Sequence, residues 1–398
     1  MEISFMEKIE RKVKKIIQDI RRNGDRALCQ YTRQYDQVSL SVKELKVSVR
    51  EIDHSEKSVS GDIKKALRFA AINIEKYYRQ QLKTNNLFSG LKQLIVRPGM
   101  MIEDLVQPIE KIGIYVPGGR FSYPSTVLMI GIPAKVSGVG RVLMVTAPGG
   151  LTAEVLFAAK ISGIKEIYRI GGAQAIAALA YGTETVPKVD KIFGPGNIYV
   201  TMAKKIVFGD VGIDMLAGPS EVMIVADRSC PANFIVQDLL AQLEHDPRTR
   251  ALLVSWDSGL LAEVEKSFSV PFKPSLKFVR VKSPAQVGRL VNDYAPEHLQ
   301  IMCKNPRSLL PKIKNAGAIF LGRYTPAALG DYLAGPSHVL PTGGTARFSS
   351  GLRIEDFVKK TNVISYNENS LRRVAPYVIS LAEKEGLVNH SRSVKARF

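Results

Sequence analysis

Cysteine, histidine and long apolar runs are all scarce in this 398-residue sequence. Its three cysteines, Cys29, Cys230 and Cys303, are widely separated and form no Cys-x-x-Cys pair, which argues against a disulfide framework and a cysteine-rich zinc site. No apolar run approaches the roughly 20 residues that a membrane-spanning helix needs. Charges interrupt the apolar residues at the N-terminus, so the apolar core of a signal peptide is missing. These absences predict a cytoplasmic protein with no membrane partner.

Positive charge is in excess, with a formal net charge of +19 and an isoelectric point near 9.7. Such an excess is typical of nucleic-acid-binding proteins, but a basic solvated surface produces it as well. The lysines and arginines are spread along the chain, without a long basic block or an aromatic-rich basic motif. We therefore expect no nucleic-acid partner. A basic surface still attracts anionic small molecules such as a dinucleotide.

Hydrophobic periodicity predicts N-terminal helices followed by two α/β series. Apolar residues at helical spacing cover residues 5–21, Asn23-Gly24 breaks the helix, and Asp25 can cap the next one. Short apolar runs that end in glycine turns then alternate with helical segments, over residues 111–196 and again over residues 221–321. This repetition indicates α/β domains with mostly parallel sheets. The tail from about residue 354 has one clear helix, Val374–Lys384.

Several familiar catalytic and cofactor motifs are absent. The sequence has no His-Glu-x-x-His, no Walker A loop, no nucleophile elbow and no Gly-x-Gly-x-x-Gly after a predicted strand. The glycine turn Gly194-Pro195-Gly196-Asn197 precedes a predicted helix, whose N-terminus can admit a phosphate. As a motif, this turn is weak.

Polar motifs around the histidines offer possible metal ligands. Gln242 and His245 are three residues apart in a predicted helix and can face one metal ion, although solvent often satisfies a histidine at a helix end. Asp331 and His338 lie in a loop rich in glycine and proline, where binding groups concentrate but where a structural role is also common. His390 lies near the C-terminus. Gln242, His245, Asp331 and His390 form a nitrogen and oxygen set that suits zinc, although their spacing does not establish the metal.

A carboxylate stands beside an imidazole at Glu297-His298. Two such titratable groups at one point suit proton transfer near neutral pH. Pro296 predicts that the pair lies on the first turn of a helix, where both side chains can equally be surface residues. His54 lies in a polar stretch typical of solvated surface.

Taken together, these segments resemble the histidinol dehydrogenase family. The matching stretches run in family order from about residue 12 to residue 393, and they include GIYVPGG from Gly113, GGAQAIAALAYGT from Gly171, FGPGNIYV from Phe193, DMLAGPSEVMIVAD from Asp214, AQLEHDP from Ala241, APEHLQI from Ala295, GDYLAGPSHVLPTGG from Gly330 and EGLVNH from Glu385. The AGPSE, PEHL and GDYLAGPSH stretches are specific.

The resemblance implies two successive NAD-dependent oxidations of L-histidinol, through L-histidinaldehyde, to L-histidine in histidine biosynthesis. It implies His298 as the base and Glu297 as the residue that activates water. One zinc ion per subunit would be held by Gln242, His245, Asp331 and His390. Matched substrate contacts are Ser220, His338 and Glu385, together with His298 and the zinc ligands. Matched dinucleotide contacts are Tyr115, Gln174 and Asn197.

The fold that the resemblance implies has two Rossmann-like α/β domains. One comprises residues 1–114 and 221–352, and the other comprises residues 115–220 on the NAD side. Residues 353–398 would form a small helical segment that crosses to the partner subunit of an obligate homodimer and brings His390 into the partner's site.

Some features depart from the family pattern. The segment that usually precedes the first helix is missing, which we expect to affect dimer stability rather than activity. Ser337 stands where asparagine is common. A related enzyme for another primary alcohol remains an alternative, although the matched Ser220, His338 and Glu385 argue against it. A non-catalytic nucleic-acid-binding descendant is favoured only by the charge, and the intact catalytic positions argue against it.

Overall fold

The computed structural model describes residues 2–85, 91–119, 122–244, 248–268 and 275–398. The α-helices of these residues are α1 (Glu2–Asp36), α2 (Val42–Leu45), α3 (Val49–Ser58), α4 (Gly61–Thr84), α5 (Pro124–Val136), α6 (Ala153–Ser162), α7 (Gly172–Tyr181), α8 (Ile198–Val207), α9 (Ala232–Leu243), α10 (Ser258–Ser267), α11 (Pro284–Tyr294), α12 (Ala327–Tyr332), α13 (Glu368–Lys384) and α14 (Val388–Lys395).

The β-strands are β1 (Leu91–Arg97), β2 (Met100–Pro108), β3 (Lys111–Tyr115), β4 (Arg141–Thr146), β5 (Glu166–Arg169), β6 (Lys191–Phe193), β7 (Gly212–Ile213), β8 (Glu221–Ala226), β9 (Arg250–Ser255), β10 (Leu276–Arg280), β11 (His298–Met302), β12 (Ala318–Leu321) and β13 (Val358–Tyr366). The chain divides into a larger unit, up to residue 80 and over residues 109–357, and a smaller unit, residues 81–108 and 358–398.

Two five-stranded parallel sheets form the larger unit. The first has the order β5-β4-β3-β6-β7 and the second has the order β10-β9-β8-β11-β12. In both sheets, the strand that comes first in the chain is central. The next two strands lie on one side of it, and the last two lie on the other side. The predicted α/β class with mostly parallel sheets is therefore confirmed. Sheets of this order bind ligands at the carboxyl edge where the chain switches sides, which is between β3 and β6 or between β8 and β11.

Helix α1 packs on the first sheet. Its residues Ile16 and Leu28 share one buried cluster with Ala177 of α7 and Ala203 of α8. The predicted break is confirmed, because Gly24 has φ 46° and ψ −130° and divides α1 into two helical segments.

Asp25, which the sequence suggests as a cap, binds a loop of the first sheet instead. Its carboxylate accepts hydrogen bonds from the hydroxyls of Thr183 and Thr185 and from the backbone N–H of Thr185. This carboxylate therefore fixes α1 to the loop that follows α7.

The predicted division into domains stays a prediction. In the structure, β3 begins at Lys111 and pairs with β4 and β6. Residues 111–114 and helix α1 therefore lie with the first sheet, whereas the prediction grouped them with residues 221–352. The reason is that α1 buries its apolar face on α7 and α8.

The smaller unit contains an antiparallel sheet, β1-β2-β13, with helices α13 and α14. A turn at Pro98-Gly99 joins β1 to β2, and Gly99 has φ 76°. Strand β13 was not predicted because its residues are mostly exposed and lack apolar alternation. Helix α13 starts at Glu368, earlier than predicted, because Asn367 caps it by accepting from Ser370 N–H at 2.9 Å.

Across the described ranges, the structure contains no helix that is both long enough and apolar enough to span a membrane.

Candidate active site

Glu297 and His298 lie at the amino end of β11 in the second sheet. The prediction that Pro296 begins a helix is wrong. Helix α11 ends at Tyr294, Ala295 adopts a left-handed conformation with φ 54°, and His298 is the first residue of β11. The strand prevails because the five residues from His298 pair with β8 on one side, four of them pair with β12 on the other, and all five are buried.

Both side chains of the pair contact the backbone of Glu221, the first residue of β8. Oε2 of Glu297 accepts from Glu221 N–H at 2.8 Å. Nδ1 of His298 lies 3.4 Å from the Glu221 carbonyl oxygen and 3.6 Å from Oε2 of Glu297. The parallel register, which sets His298 opposite Val222, thus brings the catalytic candidates together.

A second carboxylate, Asp331 of α12, lies beside the other ring nitrogen of His298. Its Oδ1 is 3.7 Å from Nε2, and the Phe320 ring stacks on the imidazole with 5.8 Å between centroids. Burial opposes a charge on the ring, but Glu297 and Asp331 outweigh burial and raise the pKa of His298 to about 10. In the metal-free protein the imidazole is therefore protonated at neutral pH, and two carboxylates stabilise its charge.

Glu221 adds a third carboxyl group to this region. Its side chain is 5% exposed. Burial, reinforced by the charge of Glu297, raises the pKa of Glu221. The dry environment and the charge of Glu297 therefore both disfavour the ionised form of Glu221.

His338 is linked to Asp331 and to α5. Its Nδ1 lies 3.0 Å from the Asp331 carbonyl oxygen, which only accepts, so Nδ1 carries the hydrogen. Nε2 lies 3.2 Å from the Thr126 hydroxyl. Burial lowers the pKa of His338, so the ring is neutral and its Nε2 accepts from Thr126. The backbone of Asp331 is thereby tied to a neutral histidine at the edge of the site.

The remaining substrate and metal candidates are placed as follows. Gln242 is buried in the last turn of α9, and Ser220 directly precedes β8. His245 lies outside the described residues. Glu385 directly follows α13 and His390 lies in α14, and both are exposed in the smaller unit. The structure thus brings together Glu297, His298, Asp331 and His338.

The residues that would hold zinc fit it by donor chemistry. Gln242 and Asp331 offer oxygen donors, and His245 and His390 offer imidazole nitrogens, all of which zinc accepts. In the part of the chain that the structure describes, no three His, Cys, Asp or Glu side chains are gathered closely enough for a metal ion. Two of the four residues lie elsewhere, because His245 is outside the described residues and His390 belongs to the smaller unit. The described part of the larger unit therefore does not form this set alone.

Tyr115, Gln174 and Asn197 all lie at the carboxyl edge of the first sheet. Tyr115 ends β3, and its hydroxyl accepts from Gly172 N–H at 3.2 Å. Burial raises the pKa of Tyr115 to about 12. Gln174 is buried in the first turn of α7. Asn197 is exposed and caps α8 by accepting from the N–H groups of Tyr199 and Val200 at 3.0 and 3.2 Å.

Closely packed glycines line the turns at this edge of the sheet. A Cβ added to Gly150 would lie 2.4 Å from Cα of Gly118, and a Cβ added to Gly171 would lie 2.7 Å from Cβ of Ala147. The turns that follow β3, β4 and β5 therefore pack against one another at backbone distance. A surface formed by such glycine turns suits a dinucleotide, because phosphates bind where exposed backbone N–H groups can approach them closely.

Comparison with known proteins identifies the family. The histidinol dehydrogenase family profile matches residues 2–398. The histidinol dehydrogenases of Bacillus anthracis and Geobacter metallireducens are each 46% identical to this chain, covering 98% of it and 93% and 92% of their own lengths. The crystal structure of histidinol dehydrogenase from Elizabethkingia anophelis superimposes with a TM-score of 0.90 at 36% identity, covering 98% of this chain and 92% of that one.

This chain belongs to the histidinol dehydrogenase family. The predicted resemblance is confirmed. The Glu297-His298 pair and its neighbour Asp331 therefore lie in a histidinol dehydrogenase fold whose second sheet holds them at its amino edge.

Sequence reasoning missed two residues of this site. Glu221 contributes its backbone to both Glu297 and His298, and Thr126 contributes a hydroxyl to His338. Glu221 directly follows Ser220 in the AGPSE stretch, which was the available signal. Thr126 carried no signal of its own, because its position within a buried apolar helix is typical of a structural residue.

Proposed function

We propose that this chain is an L-histidinol dehydrogenase. It oxidises L-histidinol in two NAD-dependent steps, through L-histidinaldehyde, to L-histidine. The observation that carries the proposal is the buried cluster of Glu297, His298 and Asp331 in a chain of this family. A positioned imidazole with a carboxylate beside it suits the removal of an alcohol proton.

His298 is the base of the first oxidation. It takes the hydroxyl proton of histidinol while the carbinol carbon releases a hydride to NAD, because no side chain can accept a hydride. Zinc bound to Asp331 would offset the charge of that carboxylate and so lower the pKa of His298, which leaves the ring able to accept a proton. The imidazolium that results lies 3.6 Å from Glu297, whose charge stabilises it. Alcohol and NAD+ thus become aldehyde, NADH and one proton.

Glu297 activates water for the second oxidation. It takes a proton from a water molecule that adds to the aldehyde carbon, and the hydrate then releases a hydride to a second NAD+. Aldehyde, water and NAD+ become carboxylate, NADH and two protons. Glu297 is 6% exposed, which keeps its charge in a medium where it interacts strongly with the reacting atoms.

The dinucleotide binds at the carboxyl edge of the first sheet, in contact with Tyr115, Gln174 and Asn197. The residues at the carboxyl edge of the second sheet support this choice, because they are unsuited to a dinucleotide. There, between β8 and β11, the Asp227 carboxylate accepts from Ser229 N–H at 2.9 Å and from Lys304 N–H at 3.0 Å. These N–H groups are already bound to an anionic side chain, which would also repel a pyrophosphate.

Zinc would be held by Gln242, His245 and Asp331 together with His390 of the partner subunit. When bound, the ion holds and polarises the polar groups of the substrate, since zinc itself has no redox chemistry. Ser220, His338 and Glu385 contact the substrate. His338 is neutral, and hydrogen bonds at both ring nitrogens hold it in one orientation beside Asp331.

The chain forms a homodimer with shared sites. The smaller unit supports this proposal by exposing large apolar side chains beside two candidate site residues. Tyr377 and Leu381 of α13 are 72% and 66% exposed, and Val388 of α14 is 51% exposed. Large exposed apolar groups in one region are typical of an interaction surface, and Glu385 and His390 lie in that region of the sequence.

The test of the proposed activity is a reaction stoichiometry. Purified protein supplied with zinc, L-histidinol and excess NAD should produce two NADH for each histidinol consumed, with histidine as the product. NADH absorbance and amino-acid analysis measure both. One NADH with free aldehyde, or no turnover, would contradict the proposal.

The test of the shared site mixes two inactive subunits. His390→Ala and His298→Asn variants should each be inactive as homodimers, because each lacks one half of every site. Verified heterodimers should recover activity, since one of their two sites contains both native residues. Heterodimers without activity would rule out a site completed by His390 of the partner subunit.

A further inference from the structure

Lys204 of α8 and Asp214 form a buried ion pair beneath the turn that follows β6. Their side chains are 2% and 1% exposed, and Nζ of Lys204 contacts Oδ1 of Asp214. Burying two charges has a large desolvation cost unless both make further hydrogen bonds. Here both make further bonds to one residue, Gly194.

The pair binds both backbone polar groups of Gly194. The Gly194 N–H donates to Oδ2 of Asp214 at 2.7 Å, and its carbonyl oxygen accepts from Nζ of Lys204 at 2.9 Å. Oδ1 of Asp214 also accepts from Met215 N–H at 2.6 Å, which fixes the orientation of the carboxylate. The backbone of Gly194 is thus held by the side chains of Lys204 and Asp214, which lie 10 and 20 residues further along the chain.

Gly194 needs such support because of where it lies. It has φ 113°, and a Cβ at this position would lie 2.1 Å from the Tyr115 carbonyl oxygen. Only glycine fits, and glycine has little conformational preference of its own. The ion pair therefore selects one conformation at the point where β3 and β6 meet, which is the switch point of the first sheet.

The same pair connects the turn to Asn197. Asn197 directly precedes α8 and caps its N-terminus, and Lys204 lies in that helix, where a side chain points toward the helix N-terminus. Lys204 accordingly reaches back to Gly194, which precedes Asn197 by three residues. Holding Gly194 against Tyr115 thus also sets the position of Asn197.

We infer that Lys204 and Asp214 are positioning residues for the dinucleotide site. They fix the turn that carries Asn197 next to Tyr115, and they do so before the dinucleotide arrives. Neither side chain contacts solvent enough to touch the ligand itself. The inference rests on the proposed function, because it assumes that the first sheet binds NAD.

The test compares two double variants that each neutralise both partners of an ion pair and so keep the net charge of the protein. Lys204→Met with Asp214→Asn removes the pair at the turn. Arg141→Met with Glu166→Gln, at the amino ends of β4 and β5, removes a pair at the opposite edge of the same sheet. Fluorescence titration gives the Kd for NADH, steady-state kinetics gives the KM for histidinol, and hydrogen exchange follows the peptide that contains residues 194–197.

The variant at the turn should raise the Kd for NADH about tenfold or more, equivalent to losing one charge-assisted hydrogen bond. Its peptide at residues 194–197 should exchange faster, while the KM for histidinol stays unchanged. The control should match the wild type in all three measurements. If the double variant does not fold, Lys204→Arg, which keeps the charge balance but changes the donor geometry, should show a smaller loss restricted to NADH.

Three outcomes would overturn the inference. Unchanged NADH binding in the variants at the turn would overturn it and leave the proposed function intact. Equal weakening of NADH and histidinol binding would show a merely structural role for the pair. A wild-type protein that binds no NADH would overturn both the inference and the proposed function.

Discussion

Replacing Glu297 by glutamine removes the carboxylate that lies 3.6 Å from Nδ1 of His298. The amide keeps the size of the side chain, and its oxygen can still accept from Glu221 N–H. The substitution therefore changes the charge beside His298 with little change in packing. We expect the pKa of His298 to fall steeply, from about 10 in the native protein.

The size of the fall follows from Coulomb's law. Two unit charges 3.6 Å apart interact by about 5 kcal/mol at an effective dielectric constant of about 20. Since 1.36 kcal/mol corresponds to one pKa unit, the loss amounts to roughly 3 units. Asp331 remains 3.7 Å from Nε2, so burial does not act alone on the variant. We expect its His298 to titrate near neutral pH.

The assay is an NMR titration of isotope-labelled histidine in metal-free protein, where no zinc ion offsets the charge of Asp331. Only five histidines contribute signals, and the exposed His54 of α3 serves as an internal control that the substitution should leave unchanged. Urea unfolding across pH supplies a second measurement. Because the pKa of His298 is raised on folding, its stabilisation is complete below about pH 6.5 and is lost as the pH rises through about 10.

Native and variant proteins should therefore differ most in free energy of unfolding near pH 6.5 and converge toward pH 10. If His298 titrates at the same pH in both proteins, the Glu297 charge does not act on the ring and our account of the base is wrong. A stability difference that does not change between pH 6.5 and 10 would contradict it equally.

Two further predictions concern backbone space and a hydroxyl group. Gly194→Ala should lower the free energy of unfolding by about 2 kcal/mol or more, because it combines a positive φ with a Cβ 2.1 Å from the Tyr115 carbonyl oxygen. The control is Gly149→Ala, whose Cβ meets nothing within 4 Å and which should unfold like the native protein. Equal denaturation midpoints for the two variants would contradict the steric argument. Thr126→Val should raise the KM for histidinol about fivefold through the loss of roughly 1 kcal/mol of hydrogen bonding to His338, and an unchanged KM would show that this hydroxyl does not support substrate binding.

The strands and glycine turns of the two α/β series were predictable because their signals are local. Short buried runs that end in glycine, as at Ile114 and Phe193, specify a strand and the turn after it over a few residues. The antiparallel strand β13 was not predictable, because its side chains are mostly exposed and show no alternation. The helix predicted at Pro296 failed for a related reason: pairing with β8 and β12 outweighed the local preference of proline.

The sequence by itself determined the class of fold, the order of the polar motifs and the family to which they belong. Tertiary structure alone decided that His298 lies between two carboxylates, that the Glu221 backbone joins it to Glu297, and that Lys204 and Asp214 meet at Gly194. Apart from the adjacent Glu297 and His298, the groups that meet are 10 to 77 residues apart in the chain. Their distances depend on strand register and helix packing, which arise only when the sheets form, and the pKa of a buried group depends on those distances.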